Sequence, residues 1–195
     1  MRYLHRDDLR SWSTFDEARN IDFNGLAWIR EGGNVLVDPV EMGAFDLQQL
    51  KDLGGAAIIV VTNGDHIRDA SALSTALGAK ILGPAAERDN FEIACDGWLA
   101  DGEEVVGGLR VFALQGSKTP GELALLLEDK TLITGDLIRG QRGGRLNLLP
   151  DAKMADPAAA RDSVKRLAAL PSVEAVLVGD GWSVFRDGRT RLSEL

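Results

Sequence analysis

Four short apolar runs close on, or within a few residues of, an aspartate: VLVD at Asp38, IIVVTNGD at Asp65, TLITGD at Asp136 and AVLVGD at Asp180. Short runs rich in Val, Ile and Leu read as strands, and an aspartate just beyond one belongs to the loop that leaves the sheet. The segments between them alternate in kind. LAWIREGGNVLVDPV reads as two strands joined at residues 31–34, where Gly-Gly-Asn suits a tight turn. AFDLQQLKDLGG and RDASALSTALGA have helical spacing and stop at glycines. EEVVGGLRVFALQG and GELALLLEDKTLITGD read as hairpins turning at residues 107–108 and 128–130, and KILGP as a further strand. DPAAARDSVKRLAALP is a helix with Asp156 as its N-cap and Pro157 at its first position, and VEAVLVGDGWSVF ends the chain with a strand and a hairpin-like turn. Hairpins mixed with βα units predict an α/β (α+β) fold of mixed or paired sheets, since a doubly wound parallel sheet has fewer hairpins. With no repeat, linker or low-complexity segment, residues 1–195 are expected to form a single domain.

The totals exclude several classes. Net charge is −8, so nucleic acid and anionic membranes are poor partners. A single cysteine, Cys95, allows no internal disulfide and suits a reducing compartment. The start, MRYLHRDDLRSW, is too charged for a signal peptide, and no apolar run is long enough to span a membrane. The expectation is a cytoplasmic protein with a small-molecule ligand or substrate. Dinucleotide, P-loop and serine-hydrolase motifs are missing.

Chemistry enters with the aspartates. Ligand sites in layered α/β folds gather at strand ends, and if these ends lie side by side the carboxylates converge. Converging carboxylates repel, so they need a cation, a shared proton, or a lysine or arginine. Each aspartate alone is better read as a turn residue; the set, with His66 beside Asp65, points to a site. RGQRGGR, residues 139–145, is Gly-rich enough to predict a mobile loop, from which Arg139 or Arg142 could meet an anionic substrate. The tryptophans read as core or pocket wall, with Trp182 placed near the pocket, and Cys95 as buried or incidental.

Over nearly the whole length the sequence resembles the metallo-β-lactamase superfamily, through GNVLVDPV, TNGDHIRDASALSTALGAKILGP, SKTPGELALLLEDKTLITGD and LVGDGWSVF. The resemblance implies a four-layered αββα sandwich of two mixed β-sheets. It also implies site roles, residue by residue. Asp38 matches an aspartate that supports the metal turn. In that turn Asn63 stands where the first histidine belongs, a shortening removes the second, and Asp65 and His66 fall on the Asp-His pair. Lys118, in SKTPGE, takes the place of a further histidine; Thr134-Gly135-Asp136 keeps the bridging aspartate; Asp180, in GDG, replaces the final histidine. One metal's ligands are therefore lost, whereas Asp65, His66, Asp136 and Asp180 remain as a possible set for the other.

Three carboxylates and an imidazole suit one divalent ion of zinc, manganese or iron. Lys118 would lie near the vacated position, within ion-pair reach of Asp136 or Asp65, and Asp65 could act as ligand or proton acceptor. Equally, Lys118, Asp136 and Asp180 could form a buried ion-pair network with no metal. Two functions follow: a mononuclear metal-dependent hydrolase of a small ester, thioester, lactone or phosphoester, with Asp65 and Lys118 catalytic, or a non-catalytic binding or structural protein. An unrelated Mg²⁺-dependent aspartate cluster is a weaker third, opposed by the hairpins.

Overall fold

The computed structural model describes residues 1–195. Its first sheet contains seven strands in chain order: β1 (Arg2–Tyr3), β2 (Leu9–Asp16), β3 (Ile21–Trp28), β4 (Val35–Val37), β5 (Ile58–Val60), β6 (Lys80–Pro84) and β7 (Gly97–Leu99). β1 through β4 are antiparallel neighbours, and β4 through β7 run parallel. Of the hairpin β2–β3 only the end of β3, Leu26–Trp28, was legible in sequence: β2 is polar along much of its length, and the turn uses Asn20, at φ 51°, in place of a glycine. Helices α1 (Ala44–Asp52) and α2 (Ala70–Leu77) connect the parallel strands.

The second sheet draws on β8 (Glu104–Val106), β9 (Leu109–Ala113), β10 (Leu123–Leu127), β11 (Thr131–Thr134) and β14 (Ala175–Val178). Its only parallel pair is β11 with β14. Residues 139–145 are not the loop their composition predicts. Strands β12 (Ile138–Arg142) and β13 (Arg145–Leu148) form a hairpin that turns at Gly143-Gly144. The glycines there serve the turn and a close backbone approach: a Cβ on Gly140 would lie 2.0 Å from the Trp182 carbonyl oxygen. Two helices, α3 (Pro157–Ala168) and α4 (Gly188–Ser193), complete the chain.

Side-chain alternation decides the layering. In β10, Leu123, Leu125 and Leu127 face the first sheet, packing with Val35, Val37 and Val60, whereas Ala124 and Leu126 join Val164 and Leu167 of α3. In β4 the alternation is mirrored, with Leu36 turned to Leu50 of α1 and Leu73 of α2. The central strands of each sheet are thus buried on both faces, and the layers are helix, sheet, sheet, helix, a four-layered αββα sandwich. No helix is long and apolar enough to cross a membrane.

Local signals placed the helices well. Asp156 accepts hydrogen bonds from the amides of Ala158 and Ala159, and α2 ends on Gly78 at φ 71°. Asp156→Ala is expected to cost about 1 kcal/mol of stability through the lost cap. Leu125→Ala, which opens a cavity between the sheets, is expected to cost about 2–5 kcal/mol. Urea denaturation of both variants would check the order.

Candidate functional site

Register brings the site together. β11 and β14 are parallel, and Thr134 faces Val178 across them. Asp136 and Asp180 each lie two residues beyond that pair, so their carboxylates emerge side by side. The first sheet supplies the rest from the ends of β4 and β5. Asp38 directly follows β4 in a left-handed conformation, φ 46°, and accepts from the Thr62 amide at 2.7 Å and hydroxyl at 2.6 Å. Its Oδ2 also lies 2.8 Å from Nδ1 of His66, in a single helical turn after β5. Asn63 begins that turn, accepting from the Asp65 amide at 2.9 Å.

The imidazole tethered to Asp38 turns Nε2 toward Oδ1 of Asp180, 3.6 Å away, and Oδ1 of Asp136, 3.9 Å away. All three side chains are buried. Two glycines make this approach possible. A Cβ on Gly135 would meet the Thr62 hydroxyl at 2.6 Å, and one on Gly179 would meet His66 Cε1 at 2.7 Å. The glycines of LITGD and LVGD are required by contact between the sheets.

Two guanidinium groups occupy the space between these side chains. Arg139, on β12, bridges the pair: its Nη2 donates to Asp136 Oδ1 and, at 2.8 Å, to Asp180 Oδ2. Arg68 places Nη2 2.9 Å from Asp180 Oδ1 and 3.3 Å from His66 Nε2, while its Nη1 donates to the carbonyls of Asn24 and Asp38. The direction of each pKa shift follows the balance of burial and charge. Burial works to raise the Asp136 pKa, but His66 and Arg139 outweigh it and hold the carboxyl below its usual range. For Asp180, burial prevails over the same cations and the pKa is raised. Burial and Arg68 oppose a proton on His66, but Asp38 and Asp136 prevail and raise its pKa.

Sequence reasoning placed Lys118 opposite Asp136 or Asp65, and the structure pairs it with Asp65, both side chains being partly exposed. The cation against Asp136 is Arg139, which the flexible-loop reading had turned toward a substrate and not toward the carboxylates, so the ion-pair network runs through Arg139 and Arg68 and not through Lys118. Of the four ligand candidates, His66, Asp136 and Asp180 come together, one potential ligand atom from each lying within 4.8 Å of the others, whereas Asp65 stands outside this group. These three could hold one ion only if Arg68 and Arg139 withdrew from the atoms that would bind it. Trp182 is largely exposed and packs over Gly143.

Glu122, in the TPGE segment, was also missed. It is fully buried, and its Oε1 accepts from the amides of Asp136 and Leu137, both at 2.7 Å, while Oε2 accepts from the Ser117 hydroxyl. Burial, then the Asp136 charge, pushes its pKa up to about 7. Its place is behind Asp136, fixing the loop that carries it. Losing these three partners in Glu122→Ala is expected to cost roughly 3 kcal/mol, with most of the loss restored in Glu122→Gln, which can still accept from both amides. Gly179→Ala is expected to push His66 from Asp38, seen as a shifted imidazole resonance in NMR spectra.

A cavity of about 470 Å³ opens above the network, lined by Arg68, Arg139, Asp136, Asp180, Lys118 and Lys153 among others. Comparison with known proteins gives the fold a context. Among curated proteins no match was found. Among solved structures, a metallo-beta-lactamase from Pontibacter korlensis is similar at 19% identity and a TM-score of 0.74, over 96% of this chain and 93% of that one. ETHE1 from Myxococcus xanthus is similar at 25% identity and a TM-score of 0.65, over 89% and 76%. TTHA1623, solved in a di-iron-bound form, is similar at 23% identity and a TM-score of 0.68, over 89% and 94%. The profile described as the metallo-beta-lactamase superfamily, whose members are often metal-dependent hydrolases, matches residues 1–195. The chain belongs to the metallo-beta-lactamase superfamily.

Proposed function

We propose that this chain is a metal-free, non-catalytic member of the superfamily that binds a small molecule above an arginine–carboxylate network. The observation that carries the reading is the position of Arg139 Nη2, shared between Asp136 Oδ1 and Asp180 Oδ2 while Arg68 Nη2 covers Asp180 Oδ1 and approaches His66 Nε2. The atoms an ion would need are engaged by donors that cannot themselves be ligands, since a guanidinium has no free lone pair and does not deprotonate in proteins. Loss of the other histidines points the same way: apart from His66 the chain has only His5, which contacts Thr131 outside this site.

One observation favours a second reading, a mononuclear hydrolase of a small ester, thioester, lactone or phosphoester. His66, Asp136 and Asp180 do converge, and TTHA1623 is described as di-iron-bound. On that reading these residues would hold zinc, manganese or iron, with Asp65 as a further ligand or proton acceptor and Lys118 beside it. The ion would supply Lewis acidity and an acidified water.

Metal analysis separates the two. Protein purified without added metal or chelator is expected to carry no stoichiometric transition metal, with a Tm indifferent to chelator and to added Mn²⁺, Fe²⁺ or Zn²⁺. Asp136→Ala should lose on the order of 3–5 kcal/mol whether or not chelator is present, because it leaves Arg139 with one carboxylate fewer in a buried site. One retained equivalent of metal, with a wild-type Tm that falls on chelation, would instead establish the mononuclear reading.

A further inference from the structure

The cavity is electrostatically unlike the rest of the chain. Lys and Arg number 22 against 30 Asp and Glu in the whole sequence, a clear acidic excess. Along the cavity wall the balance reverses: Arg19, Arg68, Lys118, Arg139 and Lys153 face only Asp65, Asp136 and Asp180. Four of these cations already have carboxylate partners. Arg68 and Arg139 serve Asp136 and Asp180, Lys118 pairs with Asp65, and Arg19 pairs with Asp16. Lys153 makes neither an ion pair nor a side-chain hydrogen bond, and Arg139 uses Nε and Nη2 but leaves Nη1 without a partner.

A volume near 470 Å³ lies in the range of small-molecule sites. Phe23, Ile21 and Leu149 add a short apolar wall to the polar lining. Unused, charged N–H donors beside a small apolar surface fit a ligand with an anionic end and a compact apolar body. An overall negative field does not attract such a ligand from a distance, so recognition has to be local.

We infer that the cavity receives an oxyanion, a carboxylate or phosphate group on a small organic molecule, held by Lys153, Lys118 and the free Nη1 of Arg139. This rests on the metal-free reading, because an ion at His66, Asp136 and Asp180 would require both guanidinium groups to move. The floor of the site then acts as a fixed positive surface whose own carboxylates are already satisfied. Lys118 is shared between the ligand and Asp65.

The test titrates the full chain, pretreated with chelator, with benzoate, phenyl phosphate and the uncharged benzyl alcohol, followed by calorimetry and by Tm. Binding of either anion, but not of benzyl alcohol, is expected, and the tighter of the two names the group. Lys153→Gln should weaken that binding roughly ten-fold, the scale of one lost charge-assisted hydrogen bond. Lys165→Gln, on α3 and paired with Asp162, changes net charge equally and should leave affinity unchanged. Equal weakening by both variants, or equal binding of benzyl alcohol, overturns the proposed site. No binding of either anion by a protein indifferent to chelator overturns the anion proposal and leaves the metal-free reading standing. Anion binding that appears only after Zn²⁺ is added overturns both.

Discussion

Burying a carboxylate costs several kcal/mol unless opposite charge and hydrogen bonds come with it, and the ends of two sheets here bury Asp38, Asp136 and Asp180 within one small volume. The surroundings answer that cost with opposite charge and hydrogen bonds. His66, whose pKa is raised, stands on Asp38; Arg139 bridges Asp136 and Asp180; Arg68 closes on Asp180 from the other side. Three carboxylates face two guanidinium groups and an imidazole whose pKa is raised. Glu122, a fourth buried carboxyl, has a pKa near 7 and is satisfied by two amides and a hydroxyl. The network also joins the layers: Arg68, beyond β5 of the first sheet, donates to Asp180 and to the Gly179 carbonyl of the second. At this end, polar contacts add to the apolar core in joining the sheets.

Backbone contacts make the junction rigid. The Asn24 amide donates to the Gly179 carbonyl at 2.8 Å, its side chain donates to the carbonyls of Val178 and Gly181, and the Gly181 amide donates to Asp22 at 2.7 Å. The middle of β3, formally in the first sheet, thereby pairs with the loop after β14. Gly140 and Gly181 are partners in a parallel β-bridge, where a Cβ on either would collide with the other segment. The segment carrying Asp180 is therefore tied by hydrogen bonds to β3 and to β12, and its guanidinium partners meet a carboxylate whose position is already set.

The fold and half of this site were legible because their signals are local. Helix caps, Gly-Gly turns and apolar runs are written in adjacent residues, so Asp156, Gly78 and the strand of Asp136 fell where periodicity put them. Thr-Gly-Asp and Asp-His could likewise be matched by order along the chain. Arg68 and Arg139 could not, because their role depends on meeting Asp180, more than a hundred residues from one and some forty from the other. Composition misled as well. Three glycines around Arg139 suggested mobility, when Gly140 is there to let the backbone touch Trp182 and Gly143-Gly144 to turn a hairpin. The deficit of histidines was visible; what replaced the charge they would have held was not.

The replacement has a simple electrostatic equivalence. One divalent ion and two guanidinium groups carry the same positive charge, so a pair of arginines can neutralise carboxylates that an ion would otherwise satisfy. Chemically they differ. An ion offers an open coordination position and lowers the pKa of a bound water to about 7. A guanidinium offers fixed, planar donors, has no vacant position for an oxygen to bind as ligand, and stays protonated at every physiological pH. On the metal-free reading, exchanging one for the other preserves the fold's charge balance and removes its means of activating water. What survives is a pocket that can recognise an anionic shape by hydrogen bonds, with Arg139 joined at once to the floor carboxylates and to the cavity above them.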